Sequence, residues 1–315
     1  MAQMAPVRAY VAPTTIADCL DVLERESGRV VVLAGGQSIL PLLKTRGLRP
    51  EVLLDLVNVA DLRVHQRLDT AGGQLEIGAM RRHRDLWNDP QVRAGWSALS
   101  DAAAAVGDRQ IQSRGTLGGN LVFGTVGTDM KQVAMCLAAE LNIIGRQGER
   151  TVRALELFAD AERMMLEQGE LLRAVRLPVF PAGTGSAYRK YGITTNGRPV
   201  IGVAARISVD AAGTCTAAQL VVGGLVPSPC VAVRAAQGML GQRLDDAADV
   251  ADRHALGEQA LQHARHDAQR QELRHQVLDQ LGRGLGEAVE QLLRLVVAEQ
   301  LVRVRLDHVA QVRGD

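Results

Sequence analysis

Two short glycine-containing segments combine residue types that suit ligand chemistry. The first, AGGQS at 34–38, follows the apolar run Val30–Leu33 and precedes residues of helical character. Adjacent glycines let a backbone turn tightly and approach a ligand, and the N–H groups at a helix start attract anions. Taken alone, a glycine pair after a strand is more often a plain turn. The second segment, TLGGN at 116–120, again places two glycines beside a hydroxyl and an amide side chain.

Together the two loops suit a pyrophosphate. Two negatively charged phosphate groups can be held by several converging N–H donors without a lysine. Ser38, Thr116 and Asn120 could add hydrogen bonds from their side chains. The sequence has no Walker A motif, and no G-x-G-x-x-G opens a helix after a strand, so the common nucleotide-binding motifs are poorly supported.

Composition narrows the possible partners and compartment. The 315 residues are 47% hydrophobic and 23% charged with a formal charge of +1, so neither nucleic acid nor an anionic membrane is an expected partner. The four cysteines lie far apart without a C-x-x-C pair, which predicts no iron–sulfur or zinc site in this chain. We found neither a signal-peptide pattern nor an integral membrane segment, and therefore expect a cytoplasmic protein.

Hydrophobic periodicity predicts alternating helices and strands. A helix is expected after Thr15, which opens a capping box with Asp18, and Ser38 is a candidate helix cap. Strands are expected at 30–33, 52–56, 75–79, 170–178, 187–191, 200–209 and 214–223, and helices at 94–106, 130–141 and 292–306. The segment 107–120 fits neither period and is predicted to be a long loop. Residues 178–185 are predicted to be a linker between domains.

The two glycine segments and their order resemble a known family. AGGQS followed by Pro41, and RGTLGGN at 114–120, resemble the two FAD-binding signatures of the flavoprotein medium subunit of molybdenum hydroxylases, the group of the carbon monoxide dehydrogenase and xanthine dehydrogenase types. The signatures lie 80 positions apart, counted from residue 34 to residue 114. The strand at 170–178 and YRK at 188–190 resemble further family elements, so the similarity extends over most of the chain.

The resemblance implies an α+β fold with FAD as the cofactor. A two-part FAD-binding domain of the PCMH or vanillyl-alcohol-oxidase type would occupy 1–180, with subdomains of about 1–57 and 58–180. A smaller C-terminal domain with an antiparallel sheet and helices would occupy 181–315. The implied FAD-binding residues are Ala34, Gly35, Gly36, Gln37, Ser38, Val106, Thr116, Gly118, Gly119, Asn120, Asp129, Leu172 and Lys190. No catalytic side chain and no metal ligand is assigned.

These residues have different implied roles. The two loops would hold the pyrophosphate from opposite sides, and Asp129 would contact the cofactor. Val106 and Leu172 would make apolar or backbone contacts, and Lys190 would lie near the cofactor. The sequence also departs from the family, because NLVFGTVGTD at 120–129 lacks the usual proline and MK at 130–131 replaces an apolar-proline pair. The stretch at 192–198 also differs, and these differences could alter the flavin surroundings or the docking of a partner.

The resemblance further implies an FAD-dependent oxidoreductase subunit. It would pass electrons from iron–sulfur clusters of a partner, through FAD, to an external acceptor such as NAD, a quinone or oxygen. The expected partners are a large molybdopterin-binding subunit and a small [2Fe-2S] subunit, assembled as a dimer of heterotrimers. Two alternatives stay open: a stand-alone FAD oxidoreductase with Asp129 or Tyr188 as its acid or base, and a non-catalytic nucleotide-binding assembly module.

Overall fold

The fold is taken from a computed structural model, which describes residues 7–68, 73–123, 127–158, 165–192, 199–224 and 228–243. The chain forms two compact units, and each unit is discontinuous in sequence. Unit 1 comprises Met1–Leu86, Val106–Gly124 and Ala138–Val179, and unit 2 comprises Trp87–Ala105, Thr125–Leu137 and Phe180–Asp315. The domain division at residue 180 stays a prediction. The helix predicted at 292–306 lies outside the described residues.

Unit 1 contains a small parallel sheet. Strands β1 (Ala9–Val11), β2 (Val30–Leu33) and β3 (Val52–Asp55) pair in parallel in the order β1-β3-β2. Helix α1 (Ile16–Arg25) connects β1 to β2 and buries one face against the sheet. Its first turn is capped by Thr15, whose hydroxyl accepts the N–H of Asp18 at 3.1 Å and donates to the Asp18 carboxylate at 2.6 Å, so the predicted helix start at Thr15 is confirmed. Helix α2 (Ile39–Lys44) follows β2.

Unit 1 also contains a five-stranded antiparallel sheet. Its strands pair in the order β4-β5-β8-β6-β7. The strands are β4 (His65–Leu68), β5 (Gln74–Gly78), β6 (Glu140–Gly145), β7 (Gly148–Arg153) and β8 (Leu171–Pro178). A 3-10 helix (Ala60–Arg63) precedes β4, and α9 (Ala154–Phe158) follows β7. Helix α3 (His83–Asn88) begins in unit 1 and ends in unit 2.

Unit 2 is built on an antiparallel sheet, as expected. Its strands β9 (Thr184–Tyr191), β10 (Ile201–Val209), β11 (Cys215–Gly224) and β12 (Cys230–Val231) pair in the order β12-β11-β10-β9. The predicted turn between β10 and β11 is confirmed, because the Asp210 carboxylate accepts the N–H groups of Ala212 and Thr214. Helices α4 (Pro90–Gly95), α5 (Ser97–Ala105), α8 (Met130–Cys136) and α10 (Val233–Met239) complete the described part of this unit.

The prediction of a long loop at 107–120 is wrong. The segment forms α6 (Arg109–Arg114) and α7 (Leu117–Val122), each only six residues long. Each helix has an N-cap in the residue before it. The Asp108 side chain accepts the N–H groups of Gln110 and Ile111, and the Thr116 side chain accepts that of Gly119. Helices shorter than two turns cannot display a 3.6-residue period, which is why hydrophobic periodicity missed them.

Two predicted helices have different bounds in the structure. The helix expected at 94–106 is two helices, α4 and α5, separated at Trp96. The helix expected at 130–141 ends at Cys136, because Ala138 adopts a left-handed conformation with φ of 51° and β6 begins two residues later. Apolar residues continue through both breaks, so the sequence pattern gave no sign of them.

Candidate cofactor site

The first glycine loop joins the end of β2 to the start of α2. Gly36 has a φ of +73°, a conformation that glycine adopts without strain. Among the described residues, no partner accepts a hydrogen bond from the backbone N–H groups of Gly36, Gln37 or Ser38. Ser38 occupies the cap position but forms no side-chain cap, so that part of the prediction is wrong. The loop therefore presents three N–H donors and a hydroxyl at a helix start, an arrangement that suits a phosphate.

The second glycine loop forms the first turn of α7. The N–H groups of Leu117 and Gly118 donate to the carbonyl oxygens of Arg81 at 2.9 Å and Ala79 at 2.8 Å. Those of Gly119 and Asn120 donate to the Thr116 hydroxyl at 3.1 Å and to its carbonyl oxygen at 3.0 Å. Because these four groups are used inside the protein, the hypothesis that both loops supply N–H donors is wrong for residues 117–120.

The glycines of the second loop instead permit close packing. A Cβ on Gly118 would lie 2.6 Å from the Cβ of Ala79, well inside van der Waals contact. A Cβ on Gly119 would lie 2.8 Å from the Thr116 hydroxyl oxygen and 3.8 Å from the Cβ of Ala34. The second contact shows that the structure brings the two loops together within unit 1.

Gly35 is where the main chains of the two regions meet. A Cβ at this position would be 2.2 Å from the carbonyl oxygen of Arg114 and 2.8 Å from the Cα of Gly115. Gly115 is in turn held by His83, whose backbone N–H donates to its carbonyl oxygen at 3.1 Å. The His83 side chain is buried, and its Nδ1 has no hydrogen-bond partner among the described residues. Sequence reasoning missed His83, since an isolated histidine carries no signal of this contact.

Val106 and Leu172 are core residues of unit 1. Val106 follows the last residue of α5 and is 7% exposed, and Leu172 in β8 is 4% exposed. Leu172 pairs with Ile143 of β6 in the five-stranded sheet. Their burial suits an apolar wall, and their contact with the cofactor stays a prediction.

Asp129 and Lys190 meet in unit 2. Lys190 Nζ lies 3.1 Å from Oδ1 of Asp129, with side chains 9% and 6% exposed. Asp129 precedes the first residue of α8 but does not cap that helix, because its carboxylate bonds to side chains of β9 instead. Burial raises the pKa of Asp129, and the ammonium of Lys190 and the hydroxyl of Tyr188 oppose that rise. The geometry pairs two predicted site residues.

Two further residues complete this buried polar cluster. Tyr188 donates its hydroxyl to Oδ1 of Asp129 at 2.9 Å, and Nε2 of Gln132 donates to the Tyr188 oxygen at 3.2 Å. Burial, reinforced by the charge of Asp129, raises the pKa of Tyr188 well above its ordinary value. We define these four residues, Asp129, Gln132, Tyr188 and Lys190, as the α8–β9 cluster. No local sequence pattern marks Gln132, whereas the Y-x-K spacing places Tyr188 and Lys190 on one strand face.

Two glycines make room for the α8–β9 cluster. In the sheet register, Lys190 pairs with Gly202 of β10, and Gly202 pairs with Gly223 of β11. A Cβ on Gly202 would be 2.4 Å from the Tyr188 hydroxyl oxygen, and one on Gly223 would be 2.9 Å from Oε1 of Gln132. The sheet therefore has side-chain-free positions where the polar groups lie.

Comparison with known proteins identifies the family. A family model described as "FAD binding domain in molybdopterin dehydrogenase" matches residues 3–180. The carbon monoxide dehydrogenase medium chain of Afipia carboxidovorans is 33% identical over 236 residues, which are 75% of this chain and 81% of that protein. The 6-hydroxypseudooxynicotine dehydrogenase complex subunit alpha of Paenarthrobacter nicotinovorans is 30% identical over 68% of this chain and 72% of that protein.

A solved structure shows the same fold. The structure of a cyanide-inactivated Cu,Mo-CO dehydrogenase matches with a TM-score of 0.79 and 26% identity, covering 96% of this chain and 100% of that chain. The chain therefore belongs to the family of FAD-binding medium subunits of molybdenum hydroxylases. The predicted family, the α+β fold class and FAD as the cofactor of this chain are confirmed. In the described residues, no helix is both long enough and apolar enough to cross a membrane.

Proposed function

We propose that this chain is the FAD-binding electron-transfer subunit of a heteromeric molybdenum hydroxylase. It would work between iron–sulfur clusters in a small [2Fe-2S] subunit and an external electron acceptor, beside a large subunit that holds the molybdopterin cofactor. Two relatives carry names for chemically unlike substrates, carbon monoxide and 6-hydroxypseudooxynicotine. A subunit shared by such different enzymes serves a common step, and electron transfer is common to them whereas recognition of the organic substrate is not.

The first loop is proposed to hold the FAD pyrophosphate. Its N–H groups at Gly36, Gln37 and Ser38 have no partner among the described residues, which is the observation that carries this assignment. Backbone donors at a helix start bind phosphate without a charged side chain. The second loop, Thr116–Asn120, would lie beside the first loop, because its glycines have no side chains to keep the two loops apart. Contacts of Ala34 and Gly35 would fix the distance between the two loops.

The remaining proposed contacts divide by chemistry. Val106 and Leu172 would exclude water beside the apolar part of the cofactor. Asp129 would accept a hydrogen bond from the cofactor, and Lys190 would keep that carboxylate ionised although it is buried. Bound FAD supplies the redox chemistry itself, through its isoalloxazine ring. The protein residues bind and orient it, and none is required to act as a nucleophile.

Flavin content and co-purification test the proposal. The full chain, purified after expression in its source cells, should be yellow and release about one FAD per chain on denaturation. It should bring with it a large chain containing molybdenum and a small chain containing iron and sulfide. A folded chain that takes up no FAD would contradict the proposal. A flavin-loaded chain that oxidises a substrate alone, without companions, would instead support the stand-alone oxidoreductase.

A further inference from the structure

The hydrogen bonds of the α8–β9 cluster run in one direction. Nε2 of Gln132 donates to the Tyr188 oxygen at 3.2 Å, so the hydroxyl proton of Tyr188 points to its other neighbour, Oδ1 of Asp129, at 2.9 Å. A tyrosine hydroxyl has one proton and can donate only once. The amide of Gln132 therefore fixes which way Tyr188 donates.

The donors of the cluster therefore both bind the same carboxylate oxygen of Asp129. Oδ1 accepts from both Tyr188 and Lys190, at 2.9 Å and 3.1 Å. Oδ2 has no hydrogen-bond partner among the described residues, and it is not one of the fully buried atoms left without one. Two donors on a single oxygen fix the rotation of the carboxylate and leave the other oxygen able to accept a bond from outside the cluster.

Packing alone does not explain why the α8–β9 cluster contains the polar residues Tyr188 and Gln132. Gln132 is 0% exposed and its Oε1 has no partner among the described residues, and a buried acceptor without a hydrogen bond lowers the stability of the fold. Gly202 and Gly223 must also lack side chains to accommodate Tyr188 and Gln132. An apolar pair of similar volume would need the same space but would leave no amide oxygen unsatisfied, so the polar pair is better explained by what it does to Asp129.

We propose that Tyr188 and Gln132 are positioning residues of the FAD site: Gln132 orients the Tyr188 hydroxyl, which holds Oδ1 of Asp129 so that Oδ2 accepts a hydrogen bond from the cofactor. This inference rests on the proposed function, in which Asp129 contacts FAD. Because Oδ2 is an acceptor, its partner on the cofactor must be a hydrogen-bond donor, which is either a hydroxyl or an N–H group of FAD. Neither Tyr188 nor Gln132 touches the cofactor in this arrangement.

The test measures FAD affinity in the full chain after its flavin has been removed. Titration with FAD, followed by quenching of flavin fluorescence, should give a Kd about tenfold higher for Tyr188→Phe, which loses only the hydroxyl. Tyr191→Phe is the matched control: Tyr191 lies on the same strand, is 53% exposed and should bind FAD as the unchanged chain does. An unchanged Kd for Tyr188→Phe would overturn the inference while leaving FAD binding intact.

A double-mutant cycle separates positioning from a general loss of structure. In an Asp129→Asn background, Tyr188→Phe should raise the Kd less than twofold, since its effect passes through the carboxylate. A further tenfold loss in that background would contradict the inference. Gln132→Met keeps Tyr188 and should raise the Kd about threefold, with no added loss when combined with Tyr188→Phe. If the unchanged chain itself binds no FAD, the proposed function fails first.

Discussion

Gly35 lies against the carbonyl oxygen of Arg114, so close that a Cβ on Gly35 would be only 2.2 Å away from it. The partner atom belongs to the main chain, so it cannot move aside as a flexible side chain could. The same hypothetical Cβ would meet the Cα of Gly115 at 2.8 Å. The separation of the two glycine loops is therefore set by the absence of a side chain at residue 35.

Replacing Gly35 by alanine is expected to push the loops apart. Overpacking of this kind costs about 1–3 kcal/mol, and the unfolding free energy measured in urea should fall by that amount. The purified variant should also retain less than half of the FAD of the unchanged chain. Gly95→Ala is the control, because a Cβ on Gly95 meets nothing within 4 Å and should leave both quantities unchanged. Normal flavin content in folded Gly35→Ala would mean that loop spacing does not matter for binding.

Comparing Gly36→Ala with Gly213→Ala separates backbone strain in general from a change in the geometry of the first loop. Gly36 and Gly213 have φ values of +73° and +79°, so alanine should cost each about 1 kcal/mol of unfolding free energy. At Gly36 the new Cβ also lies 2.9 Å from Leu40 Cδ1, whereas at Gly213 it meets nothing within 4 Å. We expect FAD affinity to fall about tenfold only for Gly36→Ala. Equal affinities in the two variants, measured by FAD titration, would remove the first loop from the site.

Local sequence patterns predicted much of the fold. The cap at Thr15 and the turn at 210–213 depend only on neighbouring residues, and the structure confirms both predictions. The two short helices α6 and α7 were missed because six residues do not complete two turns. The end of α8 was missed because Ala138 has an ordinary side chain and an unusual φ of 51°.

The candidate site shows the same division. The glycine pairs were visible in the sequence, but the use of the N–H groups at 117–120 depends on Ala79 and Arg81, which are distant in sequence. Gln132 could not be predicted, since its partner Tyr188 lies 56 positions further along the chain. Contacts of this kind require the sheet register and the placement of α8, which local patterns do not specify.

Breaking the pair of Asp129 and Lys190 should be more harmful than removing both charges. Lys190→Met leaves a buried carboxylate without its cation, and such changes cost about 3–5 kcal/mol of unfolding free energy. Adding Asp129→Asn should recover at least half of that loss, measured by urea unfolding of the flavin-free chain. Burial already raises the pKa of Asp129, so the Lys190→Met variant should take up a proton on folding. Its loss of unfolding free energy relative to the unchanged chain should therefore be smaller at pH 5 than at pH 8. A loss of unfolding free energy that does not vary with pH would contradict the prediction, because folding of Lys190→Met would then take up no more protons than folding of the unchanged chain.

Protonation of His83 should destabilise the folded chain in mild acid. Burial lowers the pKa of His83 from 6.5 to about 4, so the folded state resists a proton that the unfolded state accepts. Stability from the neutral imidazole is fully present above pH 6.5 and is lost as the pH falls toward 4, by up to about 3 kcal/mol. His83→Leu removes this titration, so the difference in unfolding free energy between the two proteins should shrink over that range. Carboxylates that titrate in both proteins cancel in the difference, and a difference constant from pH 7.5 to pH 4.5 would mean that His83 is not buried as described.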